Sequence, residues 1–268
     1  MSTELPQLVV LIRGGGEVAS GVAHRLARAH FRVCLTETSH PLAVSRGVAF
    51  CEAIYDGEKE VEGVVARRVK SADQIPEAWQ ESQIPIIVDP EALVRDTLKP
   101  QVLVDAIMAK RNLGTRITDA PLVIGLGPGF QAGKDVHMVV ETNNSQSLGR
   151  VILNGEAERD TGIPLAIGGL TFDRVLHSPR DGLFQTDKGI GDPVTAGEVV
   201  AWVAEQPAKA EIDGVVQALL RSGIMVRKGM KLGEIDPSGN KEVCYTIRPR
   251  VRTIAGGVLE AILMRFNV

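Results

Sequence analysis

Apolar runs alternate with mixed segments through the first half of the chain, and this alternation predicts strands and helices in turn. The first apolar run extends from Leu8 to Arg13, and the second is Arg32–Glu37. Between them, apolar side chains recur with the spacing of a helix that lies on a sheet, at Val18, Val22, Leu26 and Ala29. Further strands are predicted at 63–69, 84–88 and 102–104, with helices near 73–81, 92–98 and 105–110. Strands and helices in alternation favour a parallel sheet.

The first run leads through a glycine-rich turn into the first helix. Gly14, Gly16 and Ala19 have the G-x-G-x-x-A spacing of dinucleotide-binding folds, and Glu37 is an acid placed to meet a ribose hydroxyl. The amides and the dipole at a helix N-terminus attract anions. The predicted cofactor-binding residues of this segment are Gly14, Gly15, Gly16, Glu17, Val18 and Glu37. The alternative is a glycine turn that only packs the helix on the strand.

A second candidate anion site follows Pro121, where the pattern changes to short β-like runs at 122–126, 136–141 and 149–153. Between the first two runs, the amides around Gly125, Gly127, Gly129 and Phe130 are predicted to form an anion-binding nest, and a flexible hairpin loop is the alternative. Asp89 follows a predicted strand, at the edge where open α/β sheets bind ligands. A helix N-cap explains Asp89 equally well.

The last third of the chain repeats itself at an offset of 32 residues, which predicts a pseudo-symmetric β unit. Six residues recur identically: Asp181, Gly182, Gln185, Gly191, Val194 and Gly197 match Asp213, Gly214, Gln217, Gly223, Val226 and Gly229. This unit resembles the barrel-sandwich (hammerhead) fold of biotinyl and lipoyl domains over residues 175–237. Lys209 lies only five residues before Gly214, and no Met-Lys-Met motif occurs, so neither biotin nor lipoate is expected to be attached.

The chain is therefore predicted to be an α/β protein. A Rossmann-like parallel-sheet domain is expected at 1–120, with a β-rich extension at 121–174. A small all-β hammerhead-like domain follows at 175–237. Residues 238–268 form a C-terminal segment, in which the stretch 251–264 is predicted to be an apolar helix that is entered through the pair Gly256–Gly257 and packs back on the first domain. This pair is also a weaker candidate for a third anion site.

Composition narrows the possible functions. The 268 residues include 30 basic and 33 acidic side chains, so neither a nucleic-acid footprint nor an acidic tail is present. No apolar run approaches the roughly 20 residues of a membrane span, and residues 1–6 do not resemble a secretion signal, so a cytoplasmic location without membrane contact is expected. Three widely spaced cysteines predict neither disulfides nor a metal site. No catalytic residue stands out.

Several sequence blocks together resemble one family. They are residues 13–26, 48–57, 119–130 (with Gly-Leu-Gly-Pro-Gly-Phe), 135–142 (beginning Asp-Val-His), the repeat, and 256–263. In this order they are similar to the selenium-dependent molybdenum hydroxylase system protein family. The resemblance implies an accessory role in the maturation of xanthine dehydrogenase-like hydroxylases, with such a hydroxylase or its maturation machinery as partner.

Three functions follow as hypotheses. The first is a maturation factor that binds a phosphate-bearing ligand, either the molybdopterin cofactor or a dinucleotide, at the two glycine loops. A homo-oligomer is one of the assembly states considered for this factor. The second is an NAD-dependent oxidoreductase that uses Gly14, Gly16, Ala19 and Glu37. The third is a non-enzymatic adaptor that docks a partner through its β domain.

Overall fold

The computed structural model describes residues 5–267, which form two compact units. Unit 1 comprises the residues up to Pro41, Ala49–Asp160 and the residues from Ile247 onward. Unit 2 comprises Leu42–Val48 and Thr161–Thr246. Each unit contains its own sheets and its own buried apolar cluster.

A nine-stranded mixed sheet forms the centre of unit 1. Its strands are β1 (Val9–Arg13), β2 (Arg32–Glu37), β3 (Glu58–Val61), β4 (Val64–Val69), β5 (Ile84–Val88), β6 (Val102–Asp105), β7 (Leu122–Leu126), β9 (Met138–Val140) and β10 (Val151–Ile152). They lie in the order β10-β9-β7-β6-β1-β2-β5-β4-β3. The seven inner strands are parallel, and the edge strands β3 and β10 are antiparallel to their neighbours. A separate antiparallel pair joins β8 (Gln131–Ala132) to β11 (Gly155–Glu156).

The described part of unit 1 contains five α-helices: α1 (Glu17–Arg28), α2 (Ala53–Asp56), α3 (Ile75–Gln80), α4 (Arg95–Leu98) and α5 (Pro249–Phe266). The two long helices, α1 and α5, pack against each other. A Cβ on Gly21 of α1 would lie 2.2 Å from Cγ1 of Val251 in α5, so a glycine permits this close approach. Helices α1 and α5 contribute no described residue to the buried apolar cluster that contains Leu11 and Leu103.

Local patterning located most of the inner strands correctly. The strands predicted at 32–37 and 84–88 have these bounds in the structure. The helix predicted at 105–110 is wrong, because β6 runs to Asp105, and Met108 and Lys110 then take left-handed backbone angles (φ of 61° and 59°) that end a right-handed helix. The pattern also missed β3, which is a polar edge strand with Val61 as its only buried residue.

Unit 2 consists of two four-stranded sheets. The first has the order β12 (Val175–His177), β19 (Lys231–Asp236), β17 (Gly214–Leu219) and β14 (Pro193–Val194), and every neighbouring pair is antiparallel. The second has the order β16 (Gln206–Lys209), β15 (Val199–Val203), β13 (Gly182–Gln185) and β18 (Ile224–Val226), again antiparallel throughout. A shift of about 32 residues relates each strand of one sheet to the matching strand of the other, so the sequence repeat is present in the structure.

Hydrogen bonds between the two repeats follow the same symmetry. The carboxylate of Asp181 accepts a hydrogen bond from the amide of Lys228 at 2.7 Å. The equivalent Asp213 accepts one from the amide of Ala196, also at 2.7 Å. Each Asp-Gly turn is therefore anchored by the opposite repeat.

The predicted fold class is wrong. A Rossmann-like parallel sheet with a biotinyl-like or lipoyl-like barrel-sandwich does not describe this chain, which has a mixed sheet with a large parallel core and additional antiparallel sheets. One physical reason is the two-residue turn Glu62–Gly63, where both residues have positive φ (45° and 79°) and reverse the chain into the hairpin of β3 and β4. Another is that the described connections from β6 to β7 and from β7 to β9 contain no helix.

The C-terminal helix predicted within 251–264 is present, but the chain does not enter it at the glycine pair. Helix α5 starts at Pro249, which favours the first helical turn, and the pair Gly256–Gly257 lies in its interior. Amides inside a helix already donate to carbonyls of the preceding turn. The helix start predicted at this pair is therefore wrong, and these glycines offer no helix N-terminus to an anion.

Candidate functional site

The turn Gly14–Gly16, here called the β1–α1 loop, lies at the carboxyl end of β1 and is closely packed where it begins. Gly14 has a φ of 100°, and its amide donates to the carbonyl of Thr36 at 2.8 Å. A Cβ at this position would lie 3.1 Å from the carbonyl oxygen of Ala106. Both the backbone angle and the neighbouring chain therefore require a glycine here.

Gly15 is fixed by three hydrogen bonds. Its amide donates to Oε2 of Glu37 at 2.8 Å, and its carbonyl accepts from the amide of Cys51 at 2.8 Å and from Oγ of Ser20 at 3.0 Å. Ser20 in turn accepts a hydrogen bond from the amide of Phe50 at 2.7 Å. The path of the β1–α1 loop is thus set by the folded chain itself.

Gly16 is the open position of the loop. It is the N-cap of α1 in an extended conformation, no side chain caps the helix, and a Cβ placed on it would have no heavy atom within 4 Å. The amides of Val18 and Ala19 in the first helical turn have no acceptor among the residues that the structure describes. Unpaired amides at the positive end of a helix can bind an anion.

Two arginines at the start of α5, the N-cap Arg248 and Arg250 of the first turn, lie near this helix end, and the sequence reasoning missed both. Nε of Arg248 is 3.1 Å from Oε1 of Glu17, the first residue of α1. Arg250 donates to the carbonyl of Thr142 through Nη2 at 2.6 Å and Nε at 3.2 Å. Burial lowers the pKa of Arg250, while the charge of Glu17 acts to raise it. The available signal was a run of alternating arginines, Arg248, Arg250 and Arg252, directly before the apolar helix.

The two predicted acids are used in local hydrogen bonds. Besides the bond from Gly15, Glu37 accepts one from the amide of Thr38 through Oε1 at 2.7 Å. Asp89 accepts a hydrogen bond from the amide of Val94 at 2.7 Å, and the amide of Asp89 donates to the carbonyl of Glu37 at 2.9 Å. Asp89 therefore closes the turn before α4, and Glu37 orients the β1–α1 loop.

Contacts within the fold account for the glycines of the second predicted loop. A Cβ on Gly125 would lie 2.5 Å from the ring of Phe130, whose side chain is buried. On Gly127 it would lie 2.3 Å from Oγ1 of Thr142, and on Gly129 it would lie 2.5 Å from the backbone of Arg111. These close approaches explain why the loop needs glycines without calling on a ligand.

The three cysteines and His137 occupy packed positions in the fold. Cys34, Cys51 and Cys244 are buried and form no disulfide with one another, and burial raises the pKa of Cys34. Nδ1 of His137 accepts a hydrogen bond from the amide of Val123 at 3.0 Å, and burial lowers the pKa of this imidazole. Within residues 5–267, no group of three or more His, Cys, Asp or Glu side chains is arranged to hold a metal ion, and no helix is long and apolar enough to cross a membrane. Residues 1–4, which form part of the segment considered as a secretion signal, lie outside the described part.

Comparison with known proteins gives one clear sequence relative. No family model matches the chain. A curated protein of Escherichia coli K12, described as the uncharacterized protein YqeB, is 45% identical over 256 residues. The match includes 96% of this chain and 47% of the relative, so the chain spans about half the length of that protein.

Three solved structures show weak similarity. The ectoine utilization protein EutE (DoeB) of Ruegeria pomeroyi matches with a TM-score of 0.27 and 13% identity over 85% of both chains. An aspartoacylase family protein of Mesorhizobium loti gives a TM-score of 0.28 and 14% identity over 85% of this chain and 84% of its own. A succinylglutamate desuccinylase/aspartoacylase of Rhodobacter sphaeroides gives 0.26 and 15% over 85% of both. At these TM-scores the similarity assigns neither a fold nor an activity to this chain.

These findings overturn the family assignment made from the sequence blocks. No family model supports the selenium-dependent molybdenum hydroxylase system protein family, and the description of the relative mentions neither selenium nor molybdenum. The maturation function that rested on this assignment, with its molybdopterin ligand, is therefore wrong. The alternatives of an NAD-dependent oxidoreductase and an adaptor also have no support in these comparisons.

Proposed function

We propose that unit 1 binds a small phosphate-bearing anion at the N-terminus of α1, with the β1–α1 loop below it and the arginines of α5 beside it. The observation that carries the proposal is Gly16, where a fixed loop leaves open space directly in front of a helix N-terminus. The loop backbone is held by Glu37, Ser20 and Cys51, so binding would require little ordering of the chain.

The surrounding charges are compatible with an anion. Two carboxylates lie at the start of α1: Glu17 forms an ion pair with Arg248, and Glu37 accepts hydrogen bonds from the amides of Gly15 and Thr38. Arg250 contributes a partly buried guanidinium that donates hydrogen bonds to a neutral carbonyl, while the carboxylates of Glu17 and Glu141 act on its charge from nearby. A helix dipole and a guanidinium together favour a doubly charged oxyanion such as phosphate.

Titration of the full chain with inorganic phosphate, followed by isothermal calorimetry, tests the proposal. Gly16→Ala places a methyl group in the open space, and we expect it to weaken phosphate binding at least about tenfold, since it blocks approach to the helix amides. The substitution requires no strained backbone, and its capping cost should stay below about 1 kcal/mol.

Gly256→Ala is the matched control, because it adds the same methyl group at another open glycine of unit 1, inside a helix. It should bind phosphate as the unmodified chain does. If the unmodified chain fails to bind phosphate, or if Gly16→Ala binds it with full affinity, the proposal is wrong.

A further inference from the structure

A cavity of about 280 Å³ lies in unit 1 beside β6, and it is lined by Ala92 and Leu103, which belong to one buried cluster. Arg13, at the end of β1, also lines this cavity. The register of β1 and β6 pairs Leu11 with Leu103 and Arg13 with Asp105, so these side chains share one face. None of the residues proposed to bind phosphate lines this cavity.

Arg13 is a buried guanidinium that uses three of its five N–H donors. The residue is about 5% exposed, Nη1 donates to Oδ2 of Asp105 and to Oγ1 of Thr115, and Nη2 donates to the carbonyl of Pro90 at 3.1 Å. Nε has no partner in the described structure. A buried donor without an acceptor costs free energy, so an acceptor supplied by a ligand would be favourable.

The charges around the cavity are of both signs. Asp119 is occupied, because Oδ1 lies 3.7 Å from Nε of Arg95 and Oδ2 accepts the amide of Arg116 at 2.8 Å. The exposed side chains of Arg116 and Glu91 pair with no other described residue. When the side chains that pair with each other are excluded, the cation Arg116 and the anion Glu91 remain, together with the buried Nε donor of Arg13.

The remaining wall is apolar and the space is small. Leu93 is 59% exposed and lines the cavity together with Ala92 and the buried Leu103. Pockets for drug-sized ligands span about 300–1,000 Å³, so about 280 Å³ fits a smaller molecule.

We propose that this cavity binds a free α-amino acid with a short aliphatic side chain. Arg13 Nε and the guanidinium of Arg116 receive the carboxylate, and the carboxylate of Glu91 receives the ammonium group. The aliphatic side chain contacts Leu93 and Leu103. A zwitterion matches one free cation and one free anion, whereas a simple anion would leave Glu91 unpaired beside it.

Calorimetric titration of the full chain with L-valine tests this inference, with N-acetyl-L-valine and L-valinamide as comparison ligands. The first derivative lacks the ammonium charge and the second lacks the carboxylate. We expect saturable binding of L-valine and at least about tenfold weaker binding of each derivative, since each loses a charge-assisted hydrogen bond. Equal binding of the three ligands, or no binding of L-valine up to about 10 mM, would overturn the proposal.

Variants identify the site. Arg116→Ala and Glu91→Gln change exposed side chains and should fold normally, while each lowers the affinity for L-valine about tenfold. Arg159→Ala removes another exposed arginine of unit 1 and should leave the affinity unchanged. Arg13→Lys removes Nε and should abolish binding; if it fails to fold, the two exposed variants decide the outcome.

The amino-acid site and the proposed phosphate site can fail separately. Gly16→Ala should leave L-valine binding intact, and Arg116→Ala should leave phosphate binding intact. Full L-valine affinity in both Arg116→Ala and Glu91→Gln would show that the ligand binds elsewhere and would refute the assignment to this cavity.

Discussion

The adjacent residues Gly256 and Gly257 should respond in opposite ways to the same substitution. Both lie inside α5, and a Cβ on Gly256 meets no heavy atom within 4 Å. A Cβ on Gly257 would lie 2.1 Å from the carbonyl oxygen of Gly149 and 2.9 Å from Cγ1 of Val140. The first obstacle is backbone, so a side-chain rotation cannot relieve it.

The expected magnitudes follow from these contacts. Alanine gains about 1 kcal/mol over glycine inside a helix, and both variants share this gain. Gly257→Ala also carries a steric cost of about 1–3 kcal/mol, because helix α5 or the chain at Gly149 must move. Gly256→Ala should therefore be stabilised by about 1 kcal/mol, and the two variants should differ by about 1–3 kcal/mol.

Urea unfolding followed by tryptophan fluorescence measures this difference in unit 1. The chain has two tryptophans, Trp79 in unit 1 and Trp202 in unit 2. A Trp202→Phe background leaves Trp79 as the reporter, and its indole donates to the carbonyl of Val33 inside the fold at 2.7 Å. If Gly257→Ala proves as stable as Gly256→Ala, the close approach of α5 to Gly149 is not a constraint and the reasoning fails.

Three further outcomes are expected. Phe130→Ala should cost about 3–5 kcal/mol in urea unfolding, since the buried ring packs on Gly125 and leaves a cavity; a loss under 1 kcal/mol would contradict this packing. Arg174→Met should cost about 1–3 kcal/mol in urea unfolding, because it removes the buried ion pair with Glu234 and the hydrogen bond to the carbonyl of Leu165, while Lys231 still pairs with Glu234. Burial lowers the pKa of His24, so the unfolded chain takes up this proton first and stability falls as the pH drops below about 6.5. His24→Gln should reduce that slope in thermal melts at pH 5.5 and 7.5, and an unchanged slope would exclude His24 as its source.

Local patterns predicted the buried strands because their signals lie within a few residues. The runs at Arg32–Glu37 and Ile84–Val88 are apolar and enriched in β-branched residues, and their bounds are confirmed. Strand β3 has the sequence Glu-Lys-Glu-Val, and an edge position tolerates such polar residues. The left-handed angles at Met108 and Lys110 depend on the folded chain, so helical spacing at 105–110 misled the prediction.

Some features of the candidate site could also be predicted from the sequence, and others could not. The glycines of the β1–α1 loop belong to a contiguous motif, so the sequence could mark them. Arg250 reaches Thr142 across 108 residues of chain, and no local pattern predicts such a contact. The role of Glu37 could not be read from its position either, since the same carboxylate suits a ribose hydroxyl or a loop amide, and the structure gives it the amide of Gly15.

The reciprocal hydrogen bonds of unit 2 mean that neither repeat satisfies its own turn. Asp181 and Asp213 each anchor the turn that belongs to the other copy, and the amides of Gly191 and Gly223 donate in the same crossed manner to Val216 and Phe184. One repeat produced alone would have both the donors and the acceptors, but it could join them only through a second molecule of itself. Two identical single repeats would therefore pair as a two-fold homodimer, and unit 2 has the architecture of such a dimer fused into one chain.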